Sequence, residues 1–323
     1  MKPATTITTT LVLLAAAAPM TALGQQIPNQ GLPTSGYYAY NPTEGSPNSL
    51  QFQAVRDSLN MLDVEAEGED RGEPDGDSDT IGGTLTRWGI QNQNGERYDL
   101  HYQHAQRVFE GSRARLIIDA PINILHPDTV HALGYTFPGA TAVSGTLNVG
   151  LELPAQPNWL ITPRVSYGVA LAGSYFGGNG ELGTGSLTSR YQIRHVGRGE
   201  IIIGDMVAYT HSTKLLTSQK FYFPVINWVF RNGIAYQLPL KSRMFGRQTS
   251  LRASYVFTIA TKDPLFFKKT HELGFSMGVR AREAEQKSRF EQLRVGILYT
   301  RASDQYVSTD HYHAISLTLG YRF

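Results

Sequence analysis

The chain has no cysteine. That absence removes disulfide frameworks, thiolate metal sites and cysteine nucleophiles together. It says nothing about compartment, because exported proteins often lack cysteine. Charge is scarce: 17% of residues are Asp, Glu, Lys or Arg, against roughly 25% in a typical soluble domain. Beyond the first residues no stretch approaches the roughly 18–20 consecutive apolar residues of a membrane-spanning helix. A concentrated basic patch is missing too. The bases are spread along segment interiors, and this distribution argues against nucleic-acid binding despite a pI near 8.6. What the chain has in quantity is Gly (32) and Tyr (17), the residues of strands, tight turns and interfacial aromatic belts.

The first residues read as an export signal. Lys2 precedes an apolar core, LVLLAAAA at 11–18, and Ala22 and Gly24 supply the small residues of a cleavage site before Gln25. The core is too short to anchor the chain as a spanning helix. Residues 1–24 are therefore expected to be a cleaved signal peptide. Residues 25–79 are expected to form a linker, a short helix and an acidic segment. The linker is rich in Pro, Gly, Asn and Tyr. In 49–64, Leu50, Val55, Leu59 and Leu62 fall near one helical stripe, with Ser49 as a possible cap. The acidic run EAEGEDRGEPDGDSD at 65–79 reads as a solvated linker. Asp75, Asp77 and Asp79 invite a calcium reading, but the sixth and twelfth loop positions hold Thr80 and Thr86 where the pattern needs Gly and Glu.

From 80 onward the pattern changes to period two, the signature of strands. The last segment, HYHAISLTLGYRF at 311–323, puts His313, Ile315, Leu317, Leu319, Tyr321 and Phe323 on one face. Ala314, Ser316, Thr318, Gly320 and Arg322 take the other. A soluble sheet edge with such an apolar face invites aggregation. A transmembrane barrel turns the apolar face to lipid and the polar face to a lumen, and closure removes the edge. The same alternation recurs at 291–301, 271–282, 249–261, 225–238, 159–171, 142–153, 113–125 and 97–106. It is weaker at 199–210, 187–196 and 80–92. The expected fold is an all-β, transmembrane antiparallel barrel of about twelve strands over 80–323, each long enough to cross a bilayer when tilted.

Connection lengths test this independently. Barrels of this kind have short turns on the side that holds both chain ends and longer loops opposite. Most connections here alternate accordingly. Two do not: 239–248 reads as long where a short turn is expected, and 93–96, with its Asn94-Gly95 turn, is short where a loop is expected.

The closing strand, ending Tyr321-Arg322-Phe323, resembles the terminal strand of Gram-negative outer-membrane β-barrels. That resemblance implies recognition of Tyr321 and Phe323 by the barrel assembly machinery, with outer-membrane lipid as the surrounding partner. The strand count, the helical stretch before the first strand and this C-terminus together resemble the translocator barrel of autotransporters, over about residues 50–323. Only residues 25–47 precede the helical stretch, so the resemblance implies a solitary, passenger-less barrel. Its function would be that of a passive or plugged pore or a structural surface component of the outer membrane, with no cofactor.

An outer-membrane phospholipase is the enzymatic alternative. It needs a Ser activated by a His within hydrogen-bond reach. Thr210-His211-Ser212 puts adjacent residues on opposite faces, and His101 and His104 have no Ser at a useful spacing. A loop or belt position is expected for these histidines, and only the fold could unite Ser112 with His311. No enzyme activity is expected.

Charge is distributed unevenly. Residues 25–79 carry two bases, Arg56 and Arg71, against eleven acids, while 80–323 carry 26 bases against 16 acids. Arg97, Arg113, Arg115, Arg164, Arg190, Arg194, Arg252, Arg280, Arg294 and Arg322 all fall on the inward parity. Arg on the lipid face would cost about 2–4 kcal/mol near the midplane. Two outcomes follow: these arginines pair with inward Asp99, Asp119, Glu152 and Glu272, or they form a basic lumen that the acidic N-terminal segment occludes.

Overall fold

The computed structural model describes residues 78–90, 93–109, 113–132, 135–138, 141–171, 180–214, 226–262, 269–280, 291–303 and 311–322. The expected signal peptide, the helical stretch, the acidic run up to 77 and Phe323 lie outside these residues.

Twelve strands form one closed antiparallel barrel. They are β1 (Ser78–Ile90), β2 (Gln93–Arg107), β3 (Arg115–Pro127), β6 (Ala142–Gln156), β7 (Trp159–Leu171), β8 (Gly180–Val196), β9 (Gly199–Lys214), β10 (Ile226–Met244), β11 (Arg247–Lys262), β12 (Lys269–Arg280), β13 (Glu291–Ser303) and β14 (His311–Arg322). Each strand pairs with its neighbour along the wall, and β14 closes the ring on β1, from Thr80↔Arg322 to Gly89↔His313. Closure pairs every edge, so no ladder is left open to solvent or lipid. Between β3 and β6 the chain forms a separate hairpin, β4 (Thr129–Ala132) with β5 (Tyr135–Pro138), which the sequence reading takes for plain loop. No helix among the described residues is long and apolar enough to cross a membrane.

Burial follows the expected parity. Ile315 is 61% exposed while its neighbour Ser316 is 1% exposed. Around the wall Leu85, Leu100, Ile122, Leu147, Val165, Phe275 and Ile297 face outward. Thr, Asn, Gln, Arg and carboxylate side chains fill much of the buried inner face.

The ends of the strands differ from the sequence reading in three places. The connection taken as long at 239–248 is a tight turn, because β10 runs on to Met244 and pairs with Arg247. Phe245 (φ 54°) and Gly246 (φ 76°) form its two central positions, and positive φ at both matches the right-handed twist of a hairpin. β8 begins at Gly180, in the middle of the stretch read as a glycine-rich loop. β3 begins at Arg115, so Arg113 precedes it and is exposed. The short turn expected between β12, which ends at Arg280, and β13, which begins at Glu291, lies outside the described residues. The short first hairpin remains short: Ile90 pairs with Gln93.

Candidate functional site

The inner wall gathers most of the polar side chains that parity selects. Arg115 on β3 stands directly across from Glu152 on β6. Its Nε donates to Oε1 at 2.9 Å and Nη2 to Oε2 at 3.5 Å, a two-pronged grip with both side chains almost fully buried. Arg164 on β7 stands across from Gly150. A Cβ at that glycine would come within 2.6 Å of the Arg164 Cγ, so the missing side chain leaves the room in which the arginine stem lies. Laid over the gap, Arg164 crosses β6 and donates from Nη1 to Asp119 Oδ2 on β3 at 2.7 Å. Asn148, the cross-strand neighbour of Asp119, donates to the other carboxylate oxygen.

Arg97 on β2 donates to Asp99, two residues along the same face, at 2.9 Å, and to Thr86 on β1 at 3.4 Å. Thr86 in turn bonds Ser316 on β14 at 2.9 Å, across the closing seam. On the other side of the barrel Arg231 donates to Thr258 at 3.2 Å and reaches Glu272, two strands away, at 2.7 Å. Arg252 donates to the amide oxygen of Gln237 at 3.0 Å. Arg294 bridges Ser276 at 2.6 Å and Ser250 at 3.2 Å. Gln192 donates to Glu200 at 2.7 Å. Each of the four carboxylates named from the sequence thus has an arginine partner.

Of the basic residues singled out, Arg97, Arg115, Arg164, Arg190 and Arg252 are buried on the inner face, and Arg294 is half-buried there. Arg194 is exposed: the β8–β9 register shifts between Ile193 and Val196, His195 takes a left-handed φ of 63°, and the alternation ends at that rim. The backbones of Arg280 and Arg322 lie in β12 and β14. Tyr321 is on the outward face of β14. Arg231, on the same inward face of β10 as Asn227 and Gln237, is not among the basic residues singled out from the sequence, and it makes one of the buried pairs.

His101 departs from the loop or belt position expected of it: it lies within β2 and faces the lumen. It shares the parity of Arg97 and Asp99, a signal available in the sequence. It turns inward against Gly82, where an added Cβ would lie 2.2 Å from the imidazole. Its Nε2 and the Arg164 Nε are buried without a hydrogen-bond partner. Arg97, Asp99, His101, Arg231, Glu272 and Arg294, from strands around the wall, line one lumen cavity of about 100 Å³. That volume holds a few waters. The site offers fixed charges and hydrogen-bond groups to water and small ions.

The histidine chemistry considered from sequence takes other forms. His271 Nδ1 bonds Tyr255 at 2.8 Å and His313 Nδ1 bonds Tyr299 at 2.6 Å, both on the outer wall. His126 bonds Thr141. Asp79, the last acid of the possible calcium run, is held by Tyr102 and by His104 at 2.9 Å. Asp75, Asp77 and Ser112 lie outside the described residues. Among the described residues no group of three or more His, Asp or Glu is placed to hold a metal ion.

No family model matches the chain, and no curated protein matches it. Solved structures do. The translocator domain of the autotransporter NalP from Neisseria meningitidis superposes with a TM-score of 0.56 at 12% identity, over 87% of this chain and 100% of that one. The β domain of the Bordetella autotransporter BrkA superposes with a TM-score of 0.54 at 11% identity, over 77% of this chain and 99% of that one. The chain has the fold of an autotransporter translocator barrel: twelve antiparallel strands in a closed ring.

Proposed function

We propose that this protein is a Gram-negative outer-membrane barrel whose lumen is a plugged pore. The observation that carries the reading is the inner wall. Arg115–Glu152, Arg164–Asp119 and Arg231–Glu272 are buried pairs inside a closed ring, and charged groups from strands around the wall line a cavity within it. A barrel wall that is apolar outside and charged inside suits lipid on one side and water on the other. The likeness to two autotransporter translocator barrels supports insertion by the barrel assembly machinery, with Tyr321 and Phe323 in the closing strand as its recognition signal. Residues 1–24 would direct export and then be cleaved.

The plug is the acidic segment. Among the described inner-face residues, Arg97, Arg115, Arg164, Arg190, Arg231, Arg252 and Arg294 outnumber Asp99, Asp119, Glu152, Glu200 and Glu272. Residues 25–79 carry a large excess of acid. Opposite charge in a confined, partly dry channel attracts more strongly than in bulk water.

Planar-bilayer conductance tests this. The mature chain should conduct poorly. Deleting residues 25–77 should raise conductance several-fold and favour anions. An unchanged low conductance sinks the plug, and cation preference in the deleted form sinks the basic lumen. Membrane fractionation with heat-modifiable gel migration checks the barrel itself.

A further inference from the structure

The outer wall carries an acid at half its height. Asp205 on β9 shares the parity of Tyr209 and is exposed. Asn232 on β10 lies directly opposite it and is exposed too, and Ser189 on β8 flanks it on the other side. Trp228 and Tyr236, 45% and 38% exposed, bracket Asn232 four residues away in each direction on β10, and Tyr209 stands across from Trp228. Aromatic girdles of this kind mark the two interfaces of a membrane barrel, so Asp205 and Asn232 sit midway between them. Lipid offers nothing there for a carboxylate or an amide to bond. Neither side chain has a hydrogen bond or an ion pair among the described residues. Elsewhere the outward residues at comparable height are apolar, such as Leu85, Leu100, Leu147, Phe275, Ile297 and Leu317.

We infer that the outward face of β8–β10 is the contact between two copies of this chain, with Asp205 and Asn232 paired across it. The inference rests on the outer-membrane reading. The chemistry is self-complementary: the Asp205 carboxyl oxygens accept hydrogen bonds, and Asn232 has two N–H donors. Two barrels inserted in the same sense are related by a two-fold axis along the membrane normal. An axis passing between β9 and β10 sets each Asn232 against the partner's Asp205, twice over, as an isologous contact requires. Gly185, also outward on β8, stands across from Tyr209, and nothing lies within 4 Å of an added Cβ there.

The chain has no native cysteine, which makes disulfide trapping clean. Val207→Cys is next to Asp205 on the same outward face and leaves the pair intact. Leu85→Cys, on β1 half-way round the ring, is the control. In oxidised outer membranes Val207→Cys should give a dimer band and Leu85→Cys should not. Adding Asp205→Val or, separately, Asn232→Leu should abolish the band, while heat-modifiable migration shows that each variant is folded. The sign of the stability change gives a second readout. A merely lipid-exposed acid predicts that Asp205→Val raises the urea midpoint, whereas an interface acid predicts that it lowers the midpoint as the dimer is lost. Val207→Cys linking no better than Leu85→Cys, a band that survives Asp205→Val, or a raised midpoint each overturns the inference. Failure of the chain to fractionate with membranes overturns the outer-membrane reading and the inference with it.

Discussion

Two arcs of the same wall handle polarity in opposite ways. In the arc β2, β3, β6 and β7 the separation is stricter, with Ala105, Ile117 and Leu125 as the apolar side chains buried inside. Arg97, Arg115, Asp119, Asn123, Asn148, Glu152 and Arg164 face in, and Leu100, Ile122, Leu147 and Val165 face out. In the arc β8–β11 the separation relaxes on both sides. Ile202, Met206, Ala208, Val229, Ala235, Val256 and Ala260 are buried inside, while Ser189, Asp205 and Asn232 face outward. Both arcs are antiparallel strands of one closed ladder, so hydrogen bonding does not distinguish them. What differs is which groups each surface must satisfy. The first arc pairs Arg115 with Glu152 on the neighbouring strand and Arg164 with Asp119 two strands away. The second leaves an acid and an amide on its outer wall.

The largest expected effect comes from breaking a pair in the strict arc. Glu152→Ala leaves the Arg115 charge buried at 2% exposure, and should cost about 3–5 kcal/mol in urea unfolding from lipid vesicles. The double replacement Arg115→Met with Glu152→Leu should restore most of that loss, because buried pairs swapped for apolar groups of similar volume are often neutral. If the single variant loses less than about 1 kcal/mol, the lumen solvates Arg115 and the arc does not depend on its own pairs.

A smaller effect separates the arcs from the outside. Leu147→Arg puts a cation on the strict outer wall, where it should cost about 2–4 kcal/mol. Asn232→Arg, at similar height in the relaxed arc, should cost less, because the Asp205 carboxylate stands across from it. Equal losses in the two variants would remove the contrast between the walls.

Much of this architecture is legible in the sequence, because parity is written residue by residue. All the wall strands can be located that way, and so can the four carboxylates that carry arginine partners. The failures have physical causes. Gly183 and Gly185 alternate with Leu182 and Thr184 in β8, but a glycine has no side chain with which to report its face, so the first part of the strand reads as loop. Phe245 in a left-handed conformation is no ordinary turn signal, so the β10–β11 turn is missed. The four-residue strands β4 and β5 are too short to show a period. Which arginine meets which carboxylate depends on register: Arg164 reaches Asp119 only because Gly150 leaves room for its stem. Asp205 weakened the apparent alternation of β9, and the same departure marks the outer wall as unusual once the strand is in place.

Two inward glycines give the finest test, and it turns on sign. Gly168 on β7 lies in the strict arc, opposite Thr146. A Cβ there would meet the Thr146 Cγ2 at 2.3 Å and the Gly145 carbonyl oxygen at 2.4 Å. The side-chain methyl can rotate away, but the backbone oxygen cannot, so the ladder between β6 and β7 must move. Gly168→Ala should therefore destabilise by about 1–3 kcal/mol, the usual cost of overpacking. Gly204 on β9 lies in the relaxed arc, opposite Gly233, and nothing is within 4 Å of its would-be Cβ. Without a clash the entropic term is left alone, and alanine in mid-strand should gain about 0.5–1 kcal/mol over glycine. Urea midpoints moving in opposite directions would show that the inner wall is close-packed along β2–β7 and open along β8–β11. Two losses of similar size would mean that the relaxed arc is as tightly filled as the strict one, and that the contrast is one of polarity alone.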